Sequence, residues 1–404
     1  MTIKRTVEDL ALFGGSPVFV VPRSTSNLLQ PDIELFLEYS KVFHTQGQYT
    51  NNGPNVRLLE KRLATFHGVS HCVTFNSGFW ALALAMSVLA IEGRSEIVMP
   101  ALTYRRMADI AAWIPLKPRF CEVDPITLAM TRAMVEPCIN EETALILGVH
   151  PIVNGCDIEG LEQLAHEREI PLLFDSVESV YEGVATGKVG GFGNAEGFSL
   201  HACKLLNGFG GGYITTNDGA LAQRLALLRG FGFSGLDNVT IAGGMNAKLN
   251  EVHAAMALAS LEGVEAQIER NRERYHTYQR RLVQVSSGMR LVEFDTRYPT
   301  GYKNIVVELL PSWPLTREVT IAALNAENIL ARPYYSPPLH RKDLLFPHLP
   351  ARLPVTDRLA QTFMNLPCGH QVSSADIEEI VNMLEFLVAH ADEIRERVQA
   401  GGDE

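Results

Sequence analysis

The chain has 404 residues, 46% of them hydrophobic, and a formal net charge of −11. That length is too great for one small domain and suits a large domain joined to a smaller one. The acidic balance argues against a nucleic-acid surface, which needs clustered Lys and Arg, but leaves room for a phosphorylated small molecule in a local pocket.

The first ten residues, Met1-Thr-Ile-Lys-Arg-Thr-Val-Glu-Asp-Leu10, carry two acids before any apolar run and do not read as a signal peptide. From about Asn76 onward, helix-like and strand-like segments alternate. Trp80 to Ala90 predicts a helix, Glu96 to Pro100 a short strand, Arg105 to Trp113 a helix and Lys117 to Val123 a strand. The longest apolar stretch, Phe79 to Ile91, is too short to cross a bilayer and reads as a buried helix. The continuous apolar run Ala144 to Val149 predicts a strand buried on both faces, and Pro171-Leu-Leu-Phe-Asp175 another, with Ile158 to Glu169 helical between them. After a glycine-rich stretch from Gly187 to Gly197 come strand patterns at Phe198–His201 and Gly211–Thr216. Long helical patterns follow at Gly219–Leu228 and Asn250–Arg281. Beyond Ser287, strands such as Asn304–Glu308 alternate with helices such as Arg317–Glu327 and Ser374–His390. The alternation predicts an α/β fold with a mostly parallel central sheet. The domain boundary is expected within the long helix or just after it, giving a large domain, 1–265, and a smaller C-terminal α/β domain, 266–404. The six cysteines show no CxxC pair and no dense spacing. Neither a metal site nor a disulfide scaffold is signalled, and a cytoplasmic protein is expected.

Several polar residues fall at predicted strand ends, where open α/β sheets place their ligands. Asp175 ends a buried strand; it reads as a capping Asp or as a carboxylate facing a ring cation. Lys204 stands between a strand and a glycine-rich turn. A lysine is ordinarily solvated, but a desolvated one has a lowered pKa and attacks aldehydes to form an imine. Ser199 offers a hydroxyl to a phosphate or to local backbone. Asn76-Ser77-Gly78-Phe79 precedes the helix expected from near Trp80, and small residues at a helix N-terminus leave free N–H groups and a dipole that favour an anion. Tyr104 follows a strand and suits stacking on a flat ring as well as packing in a core.

Together these segments resemble the DegT/DnrJ/StrS family of sugar aminotransferases, which depend on pyridoxal 5′-phosphate (PLP). The likeness runs through Leu12-Phe-Gly-Gly-Ser-Pro, Thr50-Asn-Asn-Gly-Pro-Asn-Val, Phe198-Ser-Leu-His-Ala-Cys-Lys204 and Thr215-Thr-Asn-Asp-Gly-Ala-Leu-Ala. It continues through Phe231-Gly-Phe, Met245-Asn-Ala-Lys-Leu-Asn-Glu251, Arg332-Pro-Tyr-Tyr335 and Asn365-Leu-Pro367. The resemblance is nearest to the subgroup that aminates nucleotide-linked 4-keto-6-deoxysugars. It implies a fold-type-I transferase working as a homodimer with sites at the interface. Lys204 would be the Schiff-base lysine and Asp175 the partner of the pyridine nitrogen. Tyr104 would stack on the cofactor, and Ser77, Gly78, Phe79 and Ser199 would hold its phosphate. Asn246 would reach that phosphate from the neighbouring subunit. An amino acid, glutamate by analogy, would donate nitrogen to a small-molecule ketone.

The chain departs from the family at several of these places. Phe79 replaces a usual Thr, removing a hydroxyl donor. Glu178 replaces the Gln or His that meets the cofactor's phenolic oxygen, and a carboxylate there is repulsive unless one group carries a proton. Gly210-Gly-Gly212 replaces Glu-Gly-Gly, and Met245 replaces Thr. Two other readings therefore stand beside transamination: a PLP-dependent elimination or substitution on a non-sugar substrate, and a non-catalytic binding or regulatory homologue. Family members that dehydrate sugars carry His in place of the lysine, so Lys204 favours transamination, and a binding module has no need of an imine-forming lysine.

Overall fold

The computed structural model describes residues 4–26, 29–234, 238–285 and 288–401. Its central sheet has seven strands: β1 (His71–Phe75), β2 (Glu96–Pro100), β3 (Lys117–Cys121), β4 (Thr143–Val149), β5 (Leu172–Asp175), β6 (Ala195–Ser199) and β7 (Gly212–Thr216). Their spatial order is β1-β7-β6-β5-β4-β2-β3. Strands β2 to β6 pair in parallel. Strand β7 is antiparallel to both β6 and β1, so β1 runs in the same direction as the parallel set. The C-terminal ends of β1 to β6 therefore lie along one edge of the sheet, together with the N-terminal end of β7.

The buried strands show why the sheet takes this form. All seven residues of β4 are buried, so neither face can meet water and helices must cover both. Leu145, Leu147 and Val149 enter one apolar cluster, and Ile146 between them enters another. That is the two-residue period of a strand read from its packing. The first cluster includes the helix Gly78–Leu89 and the second the helix Ile158–Arg168. In chain order the principal helices are α1 (Ile33–Gln46), α2 (Pro54–His67), α3 (Gly78–Leu89), α4 (Ile158–Arg168), α5 (Gly219–Leu228), α6 (Glu251–Glu262), α7 (Val264–Leu282), α8 (Arg317–Ala326) and α9 (Ser374–Ala389). Helix α3 is buried without a break from Ala81 to Met86. Its run of alanines brings its axis close to the sheet, and each fully buried Leu adds about 1.5–3 kcal/mol.

A second sheet is formed by β8 (Met289–Leu291), β9 (Ile305–Leu309), β10 (Arg332–Pro333) and β11 (Phe363–Leu366). Its order is β8-β9-β11-β10, antiparallel throughout.

Two expectations need correction. The pattern Asn250–Arg281 is two helices, α6 and α7, which meet at Gly263. Asn250 starts α6 by accepting from the His253 N–H at 3.0 Å. Periodicity carries through the break because both helices bury apolar residues on either side of the glycine. Strand β6 begins at Ala195, inside the stretch read as a glycine-rich loop, and ends at Ser199. The sequence hides it because Glu196 is a charged residue in a buried strand. Its carboxylate is fully buried and accepts from the N–H groups of Gly190 (2.6 Å) and Phe192 (2.8 Å) and from the Ser176 hydroxyl. Among the described residues no helix is long and apolar enough to cross a membrane, and no cysteine is in a disulfide.

Candidate active site

The edge formed by the C-terminal ends of β1 to β6 collects nearly all the residues singled out from sequence. Asp175 is the last residue of β5, opposite Val149 of β4 and Gly197 of β6. Its side chain is buried, and one carboxylate oxygen accepts from the Val177 N–H at 3.1 Å. Burial raises its pKa from 3.8 to about 6, with the charge of Lys204 acting in the opposite direction. Such a carboxylate lacks a cationic partner of its own and would be stabilised by one.

Lys204 lies in the loop after β6, its N–H bonded to the His201 carbonyl at 2.9 Å. Its ammonium pairs with Oε1 of Glu178, while Oε2 of the same carboxylate pairs with Lys303. Burial would raise the Glu178 pKa, but the two ammonium groups outweigh it and hold the carboxyl well below the usual range. Burial likewise works against the Lys204 charge, and Glu178 outweighs it, so the amine sits above the ordinary lysine range. Glu178 is therefore at the centre of the cluster, and its charge is already balanced. Lys303, just before β9, is the residue that the sequence reading missed. It is a lone lysine in Gly301-Tyr302-Lys303-Asn304, with no motif around it. Tyr335 also faces this cluster. Burial first, then the charge of Glu178, pushes its phenol well above the usual range, and Asp175 and Tyr104 act on it in the same sense.

The turn after β1 packs against the end of β6. Ser77 caps α3 by accepting from the Trp80 N–H at 3.2 Å. Its backbone bridges to Gly211. A Cβ on Gly78 would lie 3.0 Å from the Ser199 Cβ, and one on Gly212 would lie 2.4 Å from the Gly78 nitrogen. Only glycine fits at 212, so the departure two residues earlier, at Gly210, leaves this close contact intact. The first N–H groups of a helix have no partner within it. The turn at Gly78 and Phe79 thus directs backbone donors toward the edge that carries Ser199, whose Oγ accepts from the His201 N–H at 3.2 Å. The Phe79 ring turns onto Trp80, edge to face, with centroids 5.0 Å apart.

Tyr104 follows β2 on this edge and is half exposed. Asn246 is exposed, and within one chain its carbonyl accepts from Asn76 Nδ2 at 3.2 Å, beside the same turn. Asn154 and His340 are engaged elsewhere. Asn154 bonds the backbone of Glu293 (3.0 Å) and Asp295 (2.8 Å), and His340 lies 3.0 Å from Asp357.

This constellation can be set beside known proteins. The profile of the DegT/DnrJ/EryC1/StrS aminotransferase family matches residues 32–385. The chain belongs to that family. A dTDP-4-amino-4,6-dideoxy-D-glucose transaminase of Shigella dysenteriae is 29% identical over 376 residues, covering 91% of this chain and 98% of its own. A GDP-perosamine synthase of Caulobacter vibrioides is 27% identical over 331 residues, covering 81% and 89%. Among solved structures, DesI in the presence of its TDP-sugar product superposes with a TM-score of 0.91 at 30% identity, covering 98% of this chain and all of its own.

As a member of this family the chain is a PLP-dependent aminotransferase with the family's α/β fold. Its residues fit the cofactor. Asp175 is a buried carboxylate without a cation, suited to a protonated ring nitrogen. The Ser77–Phe79 turn packed on Ser199 is a cradle of small residues and donors suited to a phosphate, and Lys204 follows Ser199 on this edge, near enough to Asp175 for each charge to act on the other.

Proposed function

We propose that this enzyme moves an amino group from an amino-acid donor, glutamate, to the keto carbon of a nucleotide-linked deoxysugar. The observation that carries the reading is the meeting of Lys204, Asp175 and the Ser77–Ser199 turn on one sheet edge, in a family whose named members include transaminases of dTDP- and GDP-sugars. When bound, PLP supplies the electron sink for labilising the proton on the donor's α-carbon. Lys204 holds the cofactor at its Nζ and, once released, moves that proton as base and then acid. Asp175 keeps the ring nitrogen protonated. The N–H groups of Gly78 and Phe79, with the Ser77 and Ser199 side chains, bind the phosphate, and Tyr104 covers a ring face. Incubation with glutamate and a panel of nucleotide-linked keto sugars should give 2-oxoglutarate and an aminated sugar, read by mass spectrometry. Turnover confined to keto substrates without a nucleotide would overturn the substrate class.

The protein is proposed to work as a cytoplasmic homodimer built from a large domain, 1–265, and a smaller one, 266–404. Exposed apolar side chains support the dimer. Ile33 and Leu37 on α1, Leu58 on α2 and Val252 on α6 all lie on helices that pack on one another. Phe233 and Val239, also exposed, flank the segment that leads to Asn246. A twofold pair would cover this surface and let each Asn246 side chain reach its partner's phosphate site. Sedimentation should give twice the chain mass, and Asn246→Ala should weaken PLP binding about tenfold without dissociating the pair. A fully active monomer would contradict the proposal.

A further inference from the structure

Glu178 has two ammonium partners, and the function proposed above consumes one of them. When Nζ of Lys204 becomes joined to the cofactor's aldehyde carbon, it no longer serves Glu178 as a free ammonium. A buried carboxylate stripped of its partner is costly. Lys303 remains. It is only 7% exposed, it arrives from the loop before β9, and its ammonium lies on the other carboxylate oxygen. The phenolic oxygen of PLP is ortho to the aldehyde carbon that Lys204 would join, so a carboxylate touching Lys204 Nζ is within reach of that oxygen.

We propose that Lys303 is a positioning residue that holds Glu178 ionised and in place beside the cofactor's phenolic oxygen, and that its positive charge offsets the repulsion this carboxylate would exert there. The proposal rests on the PLP assignment to Lys204. It explains how a Glu can stand where the family resemblance expects Gln or His. The carboxylate and the lysine together present a neutral pair, as the amide alone would. Lys303 pairs across 125 residues of sequence, so the substitution at 178, in the turn after β5, and its compensation, in the loop before β9, belong to segments next to different sheets. Among the described residues, the charge of Glu178 also acts on Asp175, Tyr334, Tyr335 and Cys368, none of which is a cation.

The test is the pH midpoint of the visible absorbance change of the PLP-loaded protein, which reports the proton on the nitrogen supplied by Lys204. In Lys303→Met the uncompensated carboxylate favours that proton, so the midpoint should rise by about one pH unit, a tenfold gain in proton affinity. Lys303→Gln should shift alike, and it stands in if the Met variant fails to fold. Lys303→Arg should stay near the wild type. Glu178→Gln leaves Lys303 uncompensated and should lower the midpoint, and the double variant Glu178→Gln/Lys303→Met should return close to the wild-type value. Unmoved midpoints in the neutral Lys303 variants, or an equal shift in Lys303→Arg, would overturn the proposal while leaving the PLP assignment intact. Absence of the band from the wild type would overturn both.

Discussion

Lys204→Ala is expected to abolish both covalent retention of the cofactor and transamination, with kcat falling about a thousandfold or more. The residue has two duties, and no neighbour takes over either. As the attachment point, its amine is the one that stands beside Asp175 and the phosphate turn. As general base and acid, a positioned group of this kind contributes about 10²–10⁴ in rate. Lys303 cannot replace it, because its ammonium is committed to the far oxygen of Glu178. The fold should survive, since Glu178 keeps Lys303 as a partner. Thermal denaturation and far-ultraviolet circular dichroism should therefore match the wild type, and added methylamine should restore part of the rate. A variant within tenfold of wild-type kcat would contradict the assignment of Lys204.

Asp175→Asn is expected to bind PLP and yet lose about a hundredfold in kcat. A charge-assisted bond to the ring nitrogen holds the proton that makes the ring an electron sink. Its loss costs about 3 kcal/mol in the barrier, which converts to that factor. Stability should move the other way. Burial raises the Asp175 pKa from 3.8 to about 6. A raised carboxyl pKa means that ionisation opposes folding. The stability this group contributes is therefore complete below about pH 4 and is lost as pH rises through about 6. Cofactor-free Asp175→Asn carries no such charge. It should melt above the cofactor-free wild type at pH 8, and the gain should shrink between pH 6 and 4. Bound PLP should reverse the order, because only the wild type gains an ion pair with the ring. Melting curves of both forms across this range check the claim; a cofactor-free variant less stable than wild type at pH 8 would contradict it.

The α/β architecture was legible because its strands are apolar runs of the right length, and Asp175, Ser199 and Lys204 were legible because they stand at the ends of such runs. The turn proposed to hold the phosphate was legible as small residues at a helix N-terminus. Strand β6 was obscured by Glu196, whose burial depends on N–H groups from the loop before it and a hydroxyl from Ser176. No local pattern records bonds that only the folded chain brings together. The same holds for Lys303, which meets Glu178 only because the two sheets are brought together. From the sequence alone Glu178 looked like a repulsive neighbour for the cofactor. The structure sets two ammonium groups, Lys204 and Lys303, against its carboxylate.

The proposed function requires that the chain hold PLP on Lys204 at the C-terminal edge of the central sheet. The most direct measurement is borohydride reduction of the purified, PLP-loaded protein, followed by digestion and mass spectrometry. The visible band should bleach, and a pyridoxyl adduct should appear on the peptide containing Lys204. An adduct confined to Lys303 or another lysine, or no adduct after incubation with excess PLP, would contradict it.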